Sequence, residues 1–329
     1  MRVGWIGFHV EGLLALRGLV EHGVPVEAVV SLRPETAASR SGNGSSDYRT
    51  LCRRLRLRLH EVDSINDVAS VELLRELDLD VAFVIGWTEL LRPAVLTLAR
   101  TGMIGAHASL LPHDRGRAPI NWALIRGYRQ TGNTLFWLTA GVDAGDVIDQ
   151  VTLPITPYDT CASLYRRIAE TNRDMILRAL PALLVGRRPG RPQGPSSGPP
   201  LAKRRPEDGS IDWTRSADEL YDFVRALTRP YPGAFTGEGA DRLTIWRCAR
   251  LPAAVGVSVR ARPGEVIGPV VSPTEQACGQ LVACGRGAIV LLEIEQANGA
   301  VLRGRELSDL KWTGRVLGAH AAKVGAAHA

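Results

Sequence analysis

Lysine is almost missing from this chain of 329 residues. It occurs at Lys203, Lys311 and Lys323 alone, so nearly all of the 40 basic residues are arginine. A net charge of +6 raises the question of nucleic acid. An arginine bias of this kind is, however, what GC-rich codons impose without any selection for phosphate binding. Aromatic residues make up only 5% of the chain, and no basic stripe interleaves with them as a stacking platform requires. A tRNA partner is therefore not indicated. Long apolar runs are lacking as well: none reaches the ~18–20 residues that span a bilayer. The opening Met1–Phe8 enters a strand-like run with no cleavage-site pattern. The expectation is a soluble cytoplasmic protein with no membrane partner. Cys52, Cys161, Cys248, Cys278 and Cys284 are scattered and odd in number, and none forms a Cys-x-x-Cys pair. That pattern speaks against a disulfide framework or a zinc site and for buried, inert thiols. Finally, Gly4, Gly7 and Gly12 do not make a Gly-x-Gly-x-x-Gly fingerprint, so a nicotinamide dinucleotide has little support.

What is present is a well-supplied core, with 45% hydrophobic residues, in a chain whose length suggests two domains. Short apolar, β-branched runs at Arg2–Gly7, Val26–Ser31, Arg58–Val62, Val81–Ile85 and Met103–His107 read as strands. Helical spacing appears at Gly12–His22, Ser70–Leu77 and Pro93–Ala99. Arg33–Tyr48 reads as a Ser/Gly/Asn-rich loop. Strand–helix alternation with unbroken apolar strands predicts an α/β domain, a doubly wound and mostly parallel sheet covered on both faces. A long amphipathic helix over 163–185 closes it. The Pro/Gly-rich stretch Gly186–Pro206 cannot be helix and reads as an exposed linker. Beyond it come one helix, Ala217–Leu227, and short β-rich segments at Leu243–Trp246, Gly264–Ile267, Gln280–Ala283 and Ala288–Ile294. They suit a small OB-like barrel. The expected boundaries are 1–185, 186–207 and 208–329, with the last ten residues frayed. Oligomeric state is not legible.

Chemistry concentrates in two places. His107 ends a predicted strand, where ligands of parallel sheets bind, and is followed by the rigid turn Ser109-Leu110-Leu111-Pro112. Val142-Asp143-Ala144-Gly145-Asp146 then returns in a loop expected to be flexible through Gly141 and Gly145. A histidine near working pH with a carboxylate partner suits proton traffic at a tetrahedral intermediate. Ser109 lacks the strained elbow of a serine nucleophile and is expected to brace the turn. His113 and Asp114 read as surface loop residues. Arg115-Gly116-Arg117-Ala118-Pro119 opens a helix, and either arginine suits a ligand carboxylate or phosphate.

Taken together, Gly-Ala-His-Ala-Ser-Leu-Leu-Pro, Asp-Ala-Gly and Arg-Gly-Arg-Ala-Pro-Ile-Asn-Trp resemble the folate-dependent formyltransferases. These act on methionyl-initiator tRNA, nucleotide-linked amino sugars and related amines. The likeness covers almost the whole chain, with Asp208–Trp213 and Arg229–Phe235 as further landmarks. It is most similar to the branch that formylates 4-amino-arabinose on a nucleotide carrier. The resemblance implies a small-molecule amine acceptor and 10-formyltetrahydrofolate as donor. It gives His107 and Asp143 the catalytic roles. It places the pterin ring at Glu89, Leu90 and Leu91, with Arg117 on the folate and Thr139, Ala140, Gly141 and Val142 closing over the ring. At Gly105 the family carries a catalytic asparagine. Losing one oxyanion donor costs about 3–4 kcal/mol. Glycine would alternatively make room for a larger acyl group, with acetyl-CoA or another acyl-CoA as donor. A non-catalytic or tRNA-directed member is the remaining reading.

Overall fold

The computed structural model describes residues 1–40, 47–196, 198–251 and 261–318. The expected fraying of the last ten residues lies outside them. Two compact units form: Met1–Ala123 with Tyr128–Lys203, and Leu124–Gly127 with the described residues from Arg204 onward.

The first unit is built on a seven-stranded sheet. Its strands are β1 (Val3–Ile6), β2 (Val26–Leu32), β3 (Leu59–Val62), β4 (Val81–Val84), β5 (Gly102–His107), β6 (Gln130–Trp137) and β7 (Val147–Pro154), in the order β3-β2-β1-β4-β5-β6-β7. The first five strands are mutually parallel, as their apolar runs predict. β6 and β7 extend the sheet in antiparallel fashion. They escape the sequence reading because their polar residues interrupt the apolar pattern. One face of the sheet packs α1 (Leu13–Glu21) and the 24-residue α7 (Cys161–Leu184) around Trp5, Phe83, Ile104 and Trp137. Thr160 and Ser163 form a capping box that starts α7. The other face packs α4 (Val68–Leu77) and α5 (Pro93–Leu96) against Ile6, Ala82, Val84 and Met103.

The stretch read as a loop at Arg33–Tyr48 instead holds α2 (Pro34–Arg40) and the start of α3 (Asp47–Leu55), residues 41–46 lying outside the described chain. The Ser/Gly/Asn run hides both helices from composition, because each buries little: Ala37 in one, Tyr48 and Cys52 in the other.

Among the described residues of 186–206 none before Pro206 is helical, but the first part of this stretch is not a free linker. It groups with the first unit, and its backbone is bound. Arg191 and Val147 exchange both N–H···O bonds at 2.8 and 2.9 Å. The N–H of Leu201 donates to Arg115 O and the N–H of Arg117 to Leu201 O, at 2.6 and 3.0 Å. Trp137 Nε1 donates to Pro189 O at 2.6 Å. Orphan polar backbone finds partners even where no regular element is possible.

The second unit carries α8 (Ala217–Leu227), a six-stranded antiparallel sheet and the short α9 (Gly304–Ser308). The strands are β8 (Ala234–Thr236), β9 (Leu243–Arg250), β10 (Val266–Val270), β11 (Gly279–Ala283), β12 (Ala288–Gln296) and β13 (Val301–Arg303). The described pairings follow the order β10-β11-β12-β9-β8, with β13 also on β12. The two landmark segments meet here, where Ile211 N–H donates to Phe235 O and Trp213 Nε1 to Thr236 Oγ1. All five cysteines are free and buried. Burial pushes Cys52 up to about 11 and Cys161 and Cys284 to about 12, so the thiolate needed for reactivity is suppressed. No helix among the described residues is long and apolar enough to cross a membrane.

One clasp ties the end of α2 to two loops of the first unit. The Glu89 carboxylate accepts from Ser64 Oγ, from Asn66 Nδ2 at 2.9 Å, from Arg40 Nη1 at 2.9 Å and from the Ile65 N–H at 3.2 Å. Asn66 also donates to Leu90 O and accepts from the Arg92 N–H. Burial alone would raise this carboxyl, but hydrogen bonds from Ser64, Asn66, Arg40 and Ile65 outweigh it and hold the group below the ordinary glutamate value. A depressed carboxyl contributes stability above its unfolded pKa and loses it as pH falls through the folded one. Glu89→Gln should therefore cost about 1–3 kcal/mol at neutral pH. In thermal unfolding, the gap to the parent should close on acidification below the ordinary glutamate range. A gap that persists unchanged into acid would mean that the charge is not what holds the clasp.

Candidate active site

His107 is the last residue of β5, and Gly105 lies two residues earlier on the same face of the strand. The turn after β5 is stapled from the neighbouring strands. Thr134 Oγ1, on β6 opposite His107, donates to Ser109 O at 2.7 Å and accepts the Leu111 N–H at 3.2 Å. Gln150 on β7 donates to both Leu111 O and Thr134 Oγ1. Ser109 is buried and donates to His113 O at 2.7 Å, bracing the turn as its lack of a nucleophile elbow predicts.

His107 is 8% exposed, and loops approach both nitrogens of its ring. Nε2 lies 2.8 Å from Asp114 O. A carbonyl only accepts, so Nε2 carries a hydrogen and the exchangeable position is Nδ1. Nδ1 faces Asp143 Oδ2 at 3.6 Å, a charged contact when the ring is protonated. The same oxygen accepts the Gly116 N–H at 2.8 Å. Asp114 thus contributes to the site through its backbone, although its sequence context reads as plain surface loop. Its φ of +54° turns that segment, and nothing in residue type alone signals it.

Leu138 continues β6 alongside β5, with its N–H on Met103 O, and the loop that follows it brings Asp143 to the His107 ring. Asp143 itself has φ +47°. Gly145 does not lend this loop the expected flexibility. It is buried, and a Cβ there would overlap the Trp137 carbonyl oxygen, so close backbone approach is what requires glycine. At Gly105 a Cβ would stand 2.6 Å from Leu138 Cδ2 and 3.2 Å from Leu138 Cγ. The space that the missing side chain was expected to leave for a larger acyl group is therefore filled by leucine.

The other residues of interest stand as follows. Leu90 is exposed and Leu91 half-buried in the loop after β4. Glu89, between that loop and the β3–α4 loop, spends its carboxylate on the clasp. Thr139, Ala140 and Gly141 are exposed and Val142 is half-buried. Arg117 is exposed, whereas Arg115 donates to Gln193 Oε1 at 2.7 Å. Gln193 had no sequence signal, since it sits in a Pro/Gly-rich stretch. Among the described residues no cluster of three metal-ligating side chains occurs.

The fold has solved counterparts. HypX from Aquifex aeolicus, whose structure holds tetrahydrofolic acid, aligns with a TM-score of 0.63 at 18% identity. The alignment covers 92% of this chain but 46% of HypX, so this chain spans about half the length of that protein. An N-formyltransferase from Helicobacter canadensis, in complex with folinic acid and dTDP-3-aminofucose, aligns at 0.63 and 14% identity, covering 88% of this chain and 98% of its own. WlaRD, a sugar 3N-formyl transferase, aligns at 0.62 and 14% identity over 91% and 99%. In sequence, residues 17–180 match the formyl transferase family and residues 203–309 match the C-terminal domain of formyl transferases. Both units of this structure are thus accounted for by one lineage, and the chain belongs to the formyl transferase family.

Proposed function

We propose that this protein transfers a formyl group from 10-formyltetrahydrofolate to the amine of a small molecule, an amino sugar or similar amine. The observation that carries the reading is the contact of His107 with Asp143 at the carboxyl end of β5. The fold it sits on is shared with proteins crystallised with tetrahydrofolate, 5-formyl-tetrahydrofolate and a nucleotide-linked amino sugar. In the reaction the amine nitrogen attacks the formyl carbon of the donor substrate. The bond to the folate nitrogen breaks, tetrahydrofolate leaves with a proton, and the formamide keeps the formyl hydrogen. His107 handles the proton at Nδ1, and Asp143 steadies the ring when it is charged. The exposed loop residues Leu90, Thr139, Ala140 and Gly141, with Leu91, Val142 and Arg117, supply the donor's binding surface. Glu89 contributes by shaping the loop. Leu138 against Gly105 makes that side of the acyl site apolar.

The direct test incubates the protein with 10-formyltetrahydrofolate and a panel of amines: dTDP-linked 3-amino sugars, nucleotide-linked 4-amino sugars and methionyl-tRNA. Tetrahydrofolate release and the mass gain of one formyl group are the readouts, with acetyl-CoA as the competing donor. Transfer from acetyl-CoA, or failure to bind folinic acid, would overturn the reading. His107→Asn should abolish transfer without loss of fold, and Asp143→Asn should be nearly as damaging because a neutral amide cannot support the imidazolium. More than a tenth of parental activity in His107→Asn would remove it from the role.

Gly105→Asn adds an amide to the site but must displace Leu138 to do so. Alone it should give little gain. Combined with Leu138→Ala it should exceed both single variants, the non-additivity expected of residues in contact. Equal rates for the single and double variants would show that position 105 does not face the formyl carbonyl.

A further inference from the structure

We propose that Gln193 is a positioning residue of this active site. The strap of residues 189–196, in which it lies, is by the same argument a working part of the catalytic unit. The inference rests on the reading that His107 and Asp143 carry the chemistry. Asp143 has φ +47°, a left-handed conformation uncommon outside glycine, aspartate and asparagine being the types that reach it most readily. Such residues persist where their surroundings over-determine them. Here one side chain does so. Gln193 Nε2 donates to Asp143 O at 2.9 Å and to Gly145 O at 2.6 Å, holding the turn around Ala144 closed. Its Oε1 accepts from Arg115 Nη2 at 2.7 Å. The next residue after Arg115, Gly116, gives its N–H to Asp143 Oδ2. A single amide thereby joins the segment that supplies the carboxylate to the segment that orients it.

The residue type follows from the duties. Two donors and an acceptor on one uncharged group are found in the amides alone; lysine lacks the acceptor and a carboxylate lacks the donors. The chain is pinned on both sides of Gln193, at Arg191 by Val147 and at Leu201 by Arg115 and Arg117. Gln193 is half-buried between these anchors while its neighbours from Gly194 to Ser196 are exposed. Without the amide, Asp143 would be free to relax toward an ordinary backbone conformation and carry its carboxylate away from Nδ1.

The test uses the full chain and 10-formyltetrahydrofolate, read as deformylation with water as acceptor and, in parallel, with the best amine of the panel above. Gln193→Met keeps the length and removes the hydrogen bonds. It should lower kcat by about 10- to 100-fold, the cost of a misplaced catalytic group. KM for the donor should change little. Its pH–rate profile should take the shape of that of Asp143→Asn. Added to Asp143→Asn, it should cost no further loss, because the carboxylate it positions is already gone. Parental kcat and pH profile in Gln193→Met would overturn the proposal. So would a loss that multiplies in full with Asp143→Asn, which marks a general structural effect. Should Gln193→Met not fold, Gln193→Glu decides by the same comparisons: it keeps the acceptor for Arg115 but sets an oxyanion against two carbonyl oxygens. If Asp143→Asn is itself as active as the parent, the catalytic reading fails and this inference with it. If Asp143→Asn is inactive and Gln193→Met normal, only the role of Gln193 fails.

Discussion

His107 is the last residue of β5, yet neither group that faces its ring nitrogens comes from a strand. Asp114 O holds Nε2 and Asp143 Oδ2 faces Nδ1, and both belong to loops that turn through positive φ. The sheet fixes where the imidazole is, and the loops fix what it can do. A ring with two protons satisfies both neighbours at once, whereas a singly protonated ring keeps its hydrogen on Nε2 and turns a lone pair toward a carboxylate. Four neighbouring residues hold the segments that make that contact. Thr134 and Gln150 staple the turn that follows His107, Gly116 orients the carboxylate, and the strap closes the Asp143 turn.

The antiparallel course of β6 is what makes this possible. β6 runs back along β5, with His107 opposite Thr134 and Ile104 opposite Trp137. Leu138 continues the β6 ladder, its N–H on Met103 O, and strand alternation sets its side chain on the face of Phe136, the residue opposite Gly105. The connection to β7, whose Val147 pairs with Phe136, then brings Asp143 to His107. Leu138 in the Gly105 gap thus converts a missing amide into an apolar wall instead of an empty pocket.

The sequence made some of this plain and hid the rest for definite reasons. Runs such as Val81-Ala-Phe-Val and Gly102-Met-Ile-Gly-Ala-His announce buried parallel strands, because both of their faces are covered. β6 and β7 carry Asn133, Thr134, Asp149 and Gln150, whose polar side chains do structural work inside the sheet. Asn133 Nδ2, for example, reaches Asn172 Oδ1 at 2.7 Å. Pattern reading discounts such residues. Proline and glycine between 186 and 206 signal irregular backbone, but composition cannot say whether such backbone is bound or free. Gln193 was invisible for that reason. His107 and Asp143 were legible because each is a reactive type beside a rigid turn or a glycine, whereas Asp114 acts through an atom that every residue has.

The near-absence of lysine also takes on structural meaning. Arg40 reaches Glu89 with Nη1 and Asp63 O with Nη2, so one guanidinium bridges the carboxylate clasp and a loop carbonyl. Arg49 grips both oxygens of Glu61 with Nε and Nη2. Arg229 lies over the Trp246 ring at 4.0 Å while contacting Glu293 and Glu295. Each of these uses the planar fork, which an ammonium cannot imitate. Many such exposed pairs contribute little to stability individually. What they do is fix geometry: one guanidinium plane joins a carboxylate to a loop carbonyl, to a second carboxylate oxygen or to an aromatic face. That is a structural use of arginine, and in these three cases it accounts for the residue type without any polyanion.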